Sequence, residues 1–288
     1  WIFFTNAPVG VLVILLTPRF VAESRSEGMT RSFDVAGAVS ATAGLALLVY
    51  ALVNTDKAGW GSGETIGLLA GAAALIVAFV VIEMRAKSPL LPLSIFRLRN
   101  LTGANIVGLL LGAAIFSMFF FLSLYMQQVL GYSALRTGFA YLLVAVVIII
   151  AAGASPAPFT RFGAKAILAI GMALLTLWPV LFTMIDVRGS YVTDLVPGFL
   201  LSGVGLGFAF VPVSIAALQG VREHEAGIAS GLINTSQQIG GALGIAILAT
   251  VATTHTDSLM RDAAGNQSEL PAALTEGFQY AFAVGAGM

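Results

Sequence analysis

The sequence contains no cysteine and very little charge. Without cysteine, disulfides and thiolate metal sites are excluded, and the redox compartment cannot be read. Only 10% of the 288 residues are charged, whereas a soluble domain carries about 25%. So few charged groups cannot cover a water-exposed surface. The formal net charge is zero, so no basic excess points to nucleic acid, and nothing in the composition implies an oligomer.

Residue patterns for catalysis or metal binding are also missing. The only histidines are His224 and His255, which lie far apart in sequence. No zinc-protease, nucleophile-elbow or nucleotide-binding pattern occurs. We therefore predict no catalytic residue, no metal site, no cofactor and no enzymatic activity.

Long apolar runs take the place of these features. Hydrophobic residues make up 58% of the chain, with a mean hydropathy of +0.95. A bilayer-spanning helix needs about 20 apolar residues, and backbone in hydrocarbon must satisfy its own hydrogen bonds. The pattern predicts an all-α polytopic membrane protein with about nine transmembrane segments, the first and last cut short. The uncharged runs are 1–18, 35–55, 65–82, 100–135, 137–160, 166–185, 195–221 and 226–254, and another follows Glu276.

Lysine and arginine alternate between the connectors. Numbered along the chain, the odd connectors carry ten basic residues and the even ones carry four. Because basic loops stay on the cytoplasmic side, the odd connectors are expected to be cytoplasmic. The connector 83–100 mixes prolines and apolar residues with basic groups. It fits either an interfacial segment or a plain linker.

Polar side chains concentrate on one face of the span 226–254. No charged residue lies near the middle of any predicted span. At 100° per residue, Ser230, Asn234, Gln237 and Gln238 share a face. Amides gain nothing from facing lipid tails, so this face is expected either to line a transport cavity or to hydrogen-bond other helices.

The span that begins near residue 101 has a similar face. It carries Asn105, Phe116 and Phe119 together with Gly108 and Gly112. Such a face suits an amphipathic organic ligand, because ligand pockets are mostly apolar with few polar anchors. Alternatively, the glycines allow another helix to approach and the phenylalanines pack.

The span 195–221 combines small residues with a helix breaker. Gly203 and Gly207 precede Pro212, which removes one backbone hydrogen bond. We expect a closely packed helix with a bend. The bend is either a hinge for moving helices or a static kink.

Several stretches in order resemble the fourteen-helix drug:proton antiporters of the major facilitator superfamily. WIFFTNAPVG at 1–10 is similar to the start of their sixth helix, and FDVAG at 33–37 to the lead into the seventh. The stretches 124–133, 202–208 and 231–244 resemble their ninth, twelfth and thirteenth helices. Both chain ends are expected to be cuts inside a longer protein.

The resemblance implies a domain organisation. Residues 1–17 would be the end of the N-terminal bundle, 35–82 an inserted helix pair, and 101–288 the C-terminal six-helix bundle. It also implies that the proton-coupling carboxylates lie mainly in the N-terminal half. The loop 159–165 resembles the basic loop motif of the superfamily, but Thr160 stands where an aspartate is usual. Arg161 is therefore expected either to act in a conformational charge latch or to anchor at the interface.

The resemblance implies proton-coupled efflux of hydrophobic or cationic organic compounds by alternating access, in the plasma membrane. The proton gradient would supply the energy, and the partners would be the lipid bilayer and a small hydrophobic substrate. Export of an endogenous antibiotic, siderophore or lipid, or a non-transporting membrane scaffold or embedded enzyme, are the alternatives.

Overall fold

The computed structural model describes residues 4, 6–20, 34–86, 89–222, 225–263 and 266–287, without the side chains of 56–57 and 156–160. Within these ranges the chain is helical and contains no strand. Seven helices are long and apolar enough to cross a membrane. The basic residues Arg25, Arg31 and Lys87, used above for orientation, lie outside the described residues. The α-helices are α1 Asn6–Phe20, α2 Val35–Ala58, α3 Gly63–Arg85, α4 Arg99–Leu124, α5 Ala134–Ala154, α6 Pro156–Phe182, α7 Val196–Leu218, α8 Ala226–Asp262 and α9 Leu270–Ala286.

The chain divides into two compact units, residues 1–33 and 34–288. The first contains α1, a 15-residue apolar helix. Near its end the Thr17 hydroxyl donates to the Val13 carbonyl at 2.7 Å, which satisfies the hydroxyl within the helix where lipid offers no partner.

Helices α2 and α3 form a hairpin with capped ends. The carboxylate of Asp34 accepts from Gly37 N–H at the start of α2, and the hydroxyl of Ser62 accepts from Thr65 N–H at the start of α3. Trp60, in the turn between them, donates its indole N–H to the Thr250 hydroxyl of α8 at 2.7 Å. The hairpin is thereby joined to the other helices of the second unit.

The connector between α3 and α4 packs against the helices. Glu83, buried near the end of α3, accepts backbone N–H groups of Leu90 and Leu91 at 3.2 and 3.1 Å. Ile95 is only 2% exposed and belongs to the hydrophobic core. The apolar side of this connector is thus directed at protein as well as at lipid, which neither expectation for residues 83–100 included.

Helices α4 to α9 enclose an aromatic core. The ring of Phe182 on α6 lies 5.5 Å from those of Trp178 and Phe282 and 6.1 Å from that of Phe199. Aromatic pairs at these separations add attraction beyond the area they bury. Phe121 of α4 joins them, with its ring 6.2 Å from that of Phe282, so that α4, α6, α7 and α9 all contribute to one cluster.

Many large apolar side chains point outward. Leu135, Ile149, Ile150 and Met184 are among the exposed ones. A soluble monomer rarely exposes contiguous apolar surface on this scale. In a bilayer the same surface faces lipid tails, as the composition indicates.

Several helix boundaries differ from the uncharged runs; α9, for example, begins at Leu270 rather than after Glu276. Helix α8 continues to Asp262, although the uncharged run ends before His255. A helix can extend beyond the hydrocarbon, where charged residues are tolerated. Helix α6 begins at Pro156 and is interrupted at Gly163, which has φ 81°. Only glycine adopts that conformation without steric cost, so the turn of this connector lies at Gly163.

A buried tyrosine links two connectors at one end of the bundle. Tyr125, in the π-helical turn after α4, donates its hydroxyl to the Asp186 carbonyl at 2.6 Å. Replacing Tyr125 with Phe is expected to lower the free energy of unfolding by about 1 kcal/mol, because the carbonyl loses its donor. The measurement is unfolding of the chain in mixed detergent micelles, followed by circular dichroism. Exposed Tyr50→Phe is the control; equal losses in both variants would contradict the role of this hydrogen bond.

Candidate functional site

Helices α4 and α8 approach so closely at several glycines that no side chain would fit at those positions. A Cβ on Gly112 would overlap the Gln237 carbonyl oxygen and lie 2.6 Å from its carbon. A Cβ on Gly240 would similarly meet the backbone of Leu109, and one on Gly244 would lie 2.9 Å from Ala113. Glycines at such contacts allow backbones to pack directly. The small-residue pairs on both helices therefore form one interface.

Two of the predicted cavity residues lie in this interface. Asn105 accepts a hydrogen bond from the Ser236 hydroxyl of α8 at 2.8 Å and donates to the Leu101 carbonyl. Gln237 is half-buried, with its Cγ 3.7 Å from a Cβ placed on Gly108. These contacts are those of helix packing, the alternative interpretation of both polar faces.

The other three predicted cavity residues of α8 are exposed. Ser230, Asn234 and Gln238, here called the polar face of α8, are all exposed. Asn234 donates to the Ser230 carbonyl in its own helix at 3.2 Å, which leaves its carbonyl oxygen available. In a membrane protein such groups must meet water, a ligand or other helices. The polar face of α8 therefore offers exposed hydrogen-bonding groups on a membrane helix.

The two predicted phenylalanines lie on α4 and are partly exposed. Phe116 is 41% and Phe119 36% exposed. The Phe119 ring lies 4.8 Å from the ring of Tyr141 on α5, whose hydroxyl donates to the Phe119 carbonyl at 3.0 Å. Phe116 packs where a Cβ on Gly241 of α8 would stand. Each phenylalanine thus has one packed side and one free side.

The glycines of α7 contact two helices. A Cβ on Gly203 would lie 2.7 Å from Val147 of α5, and one on Gly207 would lie 2.8 Å from the backbone of Ala152. On α7 Gly205 instead meets Gly171 of α6, a partner that the sequence did not suggest. Gly203, Gly205 and Gly207 are all buried.

The helix-breaking and basic residues have different surroundings. Pro212 is buried inside α7, which is continuous through it. Arg161 is exposed, with its guanidinium 5.4 Å from the Phe162 ring. The side chain of Thr160 lies outside the described part. Among the described residues, no group of three or more His, Cys, Asp or Glu side chains is arranged to hold a metal ion.

Comparisons with known proteins agree with this architecture. The family model described as Major Facilitator Superfamily matches residues 1–245. The chain is 35% identical over 293 residues to the puromycin resistance protein of Streptomyces alboniger, covering 99% of this chain and 56% of that protein. It is 36% identical over 262 residues to a cephamycin export protein of Amycolatopsis lactamdurans, covering 88% and 53%.

A third relative has a similar name and coverage. The tetracenomycin C resistance and export protein of Streptomyces glaucescens is 31% identical over 263 residues, covering 91% of this chain and 48% of that protein. The chain therefore spans about half the length of the curated relatives it matches. The predicted family resemblance and the all-α membrane fold are confirmed: the chain belongs to the Major Facilitator Superfamily and is a multi-pass membrane protein.

Proposed function

We propose that the protein containing this chain exports hydrophobic organic compounds across the plasma membrane by alternating access. The observation that carries the proposal is the polar face of α8, whose amides are exposed on a helix packed tightly against α4. Relatives are named for resistance to or export of puromycin, cephamycin and tetracenomycin C. Binding such compounds needs a few polar anchors in an apolar wall.

Asn234 and Gln238 are the proposed polar anchors, with Ser230 beside them. Phe116 and Phe119 supply aromatic surface for the apolar part of the substrate. Gln237 and Asn105 hold α4 against α8. They would therefore support the wall of the substrate cavity and contact the substrate less than Asn234 and Gln238 do. The α4–α8 and α5–α7 glycine contacts would let these helices move together as one body when access alternates.

We further propose that the protein is not an enzyme and that a proton gradient drives export. Proton relays in membranes use carboxylates or histidines. The middles of the predicted spans in this chain carry no charged residue, which supports placing the proton-coupling groups elsewhere in the protein. The coupling groups would then lie outside residues 1–288. Pro212 and Arg161 are proposed conformational residues, the first at a break in backbone hydrogen bonding and the second at the membrane interface.

The proposal is tested by the double substitution Asn234→Ala and Gln238→Ala in the complete protein that contains this chain. Loss of about one hydrogen bond to bound substrate is expected to weaken export about fivefold. Export is measured as accumulation of a fluorescent hydrophobic cation in cells that express the protein. Gln128→Ala, another exposed amide, is the control. Unchanged export at equal expression would remove the polar face of α8 from the substrate path.

A second candidate substrate is an antibiotic made by the producing cell. The names of three relatives favour it, because each names a particular antibiotic. Export assays with puromycin and with the fluorescent cation in the same cells separate the two. Transport of only the antibiotic would favour the narrower role.

A further inference from the structure

A partly open cavity lies among α4, α6, α8 and α9. Its volume is about 180 Å³. Most of its wall is apolar, with Leu109 from α4, Leu243 and Ile247 from α8 and Phe282 from α9. None of Ser230, Asn234 and Gln238 lines it. The cavity is therefore separate from the polar face of α8.

Two polar side chains in the cavity wall have no hydrogen-bond partner. Ser117 of α4 and Trp178 of α6 both line the cavity, and each is only 3% exposed. The Ser117 hydroxyl and the Trp178 indole N–H are buried and unpartnered. Buried indole N–H groups usually find an acceptor, and each buried polar group without a partner costs free energy.

Water fits this cavity poorly. A buried water typically makes about three hydrogen bonds, while the mostly apolar wall of the cavity offers two side chains with unpartnered polar atoms. The third polar lining side chain, Thr176, already donates its hydroxyl to the Met172 carbonyl. An organic molecule with one acceptor oxygen satisfies the free donors and buries its carbon skeleton against the wall.

We propose that this cavity binds a small neutral molecule made of one aromatic ring and a carbonyl oxygen. The size fits, because an apolar cavity of about 150 Å³ holds benzene. The rings of Trp178 and Phe282, 5.9 Å apart, offer aromatic surface to a flat ligand. The carbonyl oxygen accepts from the Trp178 indole N–H, from the Ser117 hydroxyl, or from both.

Glycine makes the room for this ligand. A Cβ placed on Gly244 would lie 2.9 Å from the Ser117 oxygen, so the glycine leaves the space beside that hydroxyl free of a side chain. Gly240 and Gly285 line the same space. The glycines that bring α4 and α8 together thus also shape the cavity behind their contact.

The test compares two ligands that differ only in the acceptor. 4-Fluoroacetophenone carries a carbonyl where 4-fluoro-α-methylstyrene carries a methylene of similar shape. Binding of each to the complete protein in lipid nanodiscs is followed by fluorine NMR, with empty nanodiscs correcting for partition into lipid. The ketone is expected to bind about fivefold tighter than the alkene, as one satisfied hydrogen bond implies.

Substitutions test whether Trp178 and Ser117 cause the tighter binding of the ketone. Trp178→Phe keeps a ring and removes the donor, and combined with Ser117→Ala it is expected to reduce the preference to less than about twofold. Trp60→Phe, the same change at a tryptophan that bonds Thr250, leaves the preference intact. Equal binding of the two ligands by the unmodified protein overturns the proposal without any variant. So does absence of binding, which would show that polypeptide or lipid fills the cavity.

Discussion

Substitution of Gly112 by Ala is expected to lower the free energy of unfolding by about 1–3 kcal/mol, the usual cost of inserting a methyl group into a packed interface. The added Cβ would overlap the backbone carbonyl of Gln237 on α8. Backbone has no rotamer by which to move aside, so the two helices must separate. The measurement is unfolding of the chain in mixed detergent micelles, followed by circular dichroism.

Gly103→Ala on the same helix gives the matched comparison. Nothing lies within 4 Å of a Cβ at Gly103, and alanine exceeds glycine in helix propensity by about 1 kcal/mol. The control is therefore expected to be neutral or stabilising, opposite in sign to Gly112→Ala. If both variants gained stability, α4 and α8 would not touch at Gly112, and the arrangement of the polar face of α8 would lose its support.

Replacement of Glu83 by Ala is expected to cost about 2–3 kcal/mol. The carboxylate accepts the N–H groups of Leu90 and Leu91, and hydrogen bonds to a charged group contribute more than neutral ones. Without it, two backbone donors lose their partner and the connector after α3 loses its link to that helix. The same unfolding experiment measures the effect.

Glu83→Gln separates charge from hydrogen bonding. Glutamine keeps one acceptor oxygen, so about half of the loss is expected. The carboxylate of Asp34 lies nearby, since a Cβ on Gly37 would be 2.7 Å from its Oδ2 and 3.0 Å from Glu83 Oε1. A neutral glutamine also removes the charge repulsion between two neighbouring carboxylates. Glu64→Ala, at the exposed start of α3, is expected to cost less than about 1 kcal/mol. A loss at Glu64 as large as at Glu83 would contradict the anchoring role.

Most of the fold could be predicted, because lipid leaves few choices to a chain with long uncharged runs. The seven complete spans correspond to the seven helices of sufficient length. The prediction was less accurate for helix ends. A run without charge shows which residues lie in the hydrocarbon, whereas the ends of a helix depend on backbone conformation and hydrogen bonding. The extension of α8 to Asp262, the turn at Gly163 and the start of α9 at Leu270 are examples.

The candidate site was predicted only as a set of residues on a face. Gln237 and Gln238 are neighbours in sequence and fall on the same broad polar surface. In the structure Gln237 is half-buried against α4 and Gln238 is exposed. The direction from which α4 approaches decides between them, and periodicity contains no information about that direction. Their roles in transport stay predictions.

The cavity at Ser117 and Trp178 had no signal in the sequence. The two residues lie 61 positions apart on different helices, in otherwise apolar surroundings. Only a missing hydrogen-bond partner distinguishes them from an ordinary serine and tryptophan. A missing hydrogen-bond partner can be recognised only when the positions of all neighbouring side chains are known.

By itself, the sequence determined that this protein spans a membrane as helices, since hydropathy over 20 residues is a local property and backbone in lipid must pair with itself. It also determined that small and polar residues share faces. The tertiary structure alone decided which glycines meet backbone, which amides stay uncovered and where space remains between helices. These outcomes depend on contacts between residues distant in sequence, and lipid, which is as apolar as the side chains, does not select among faces as water does.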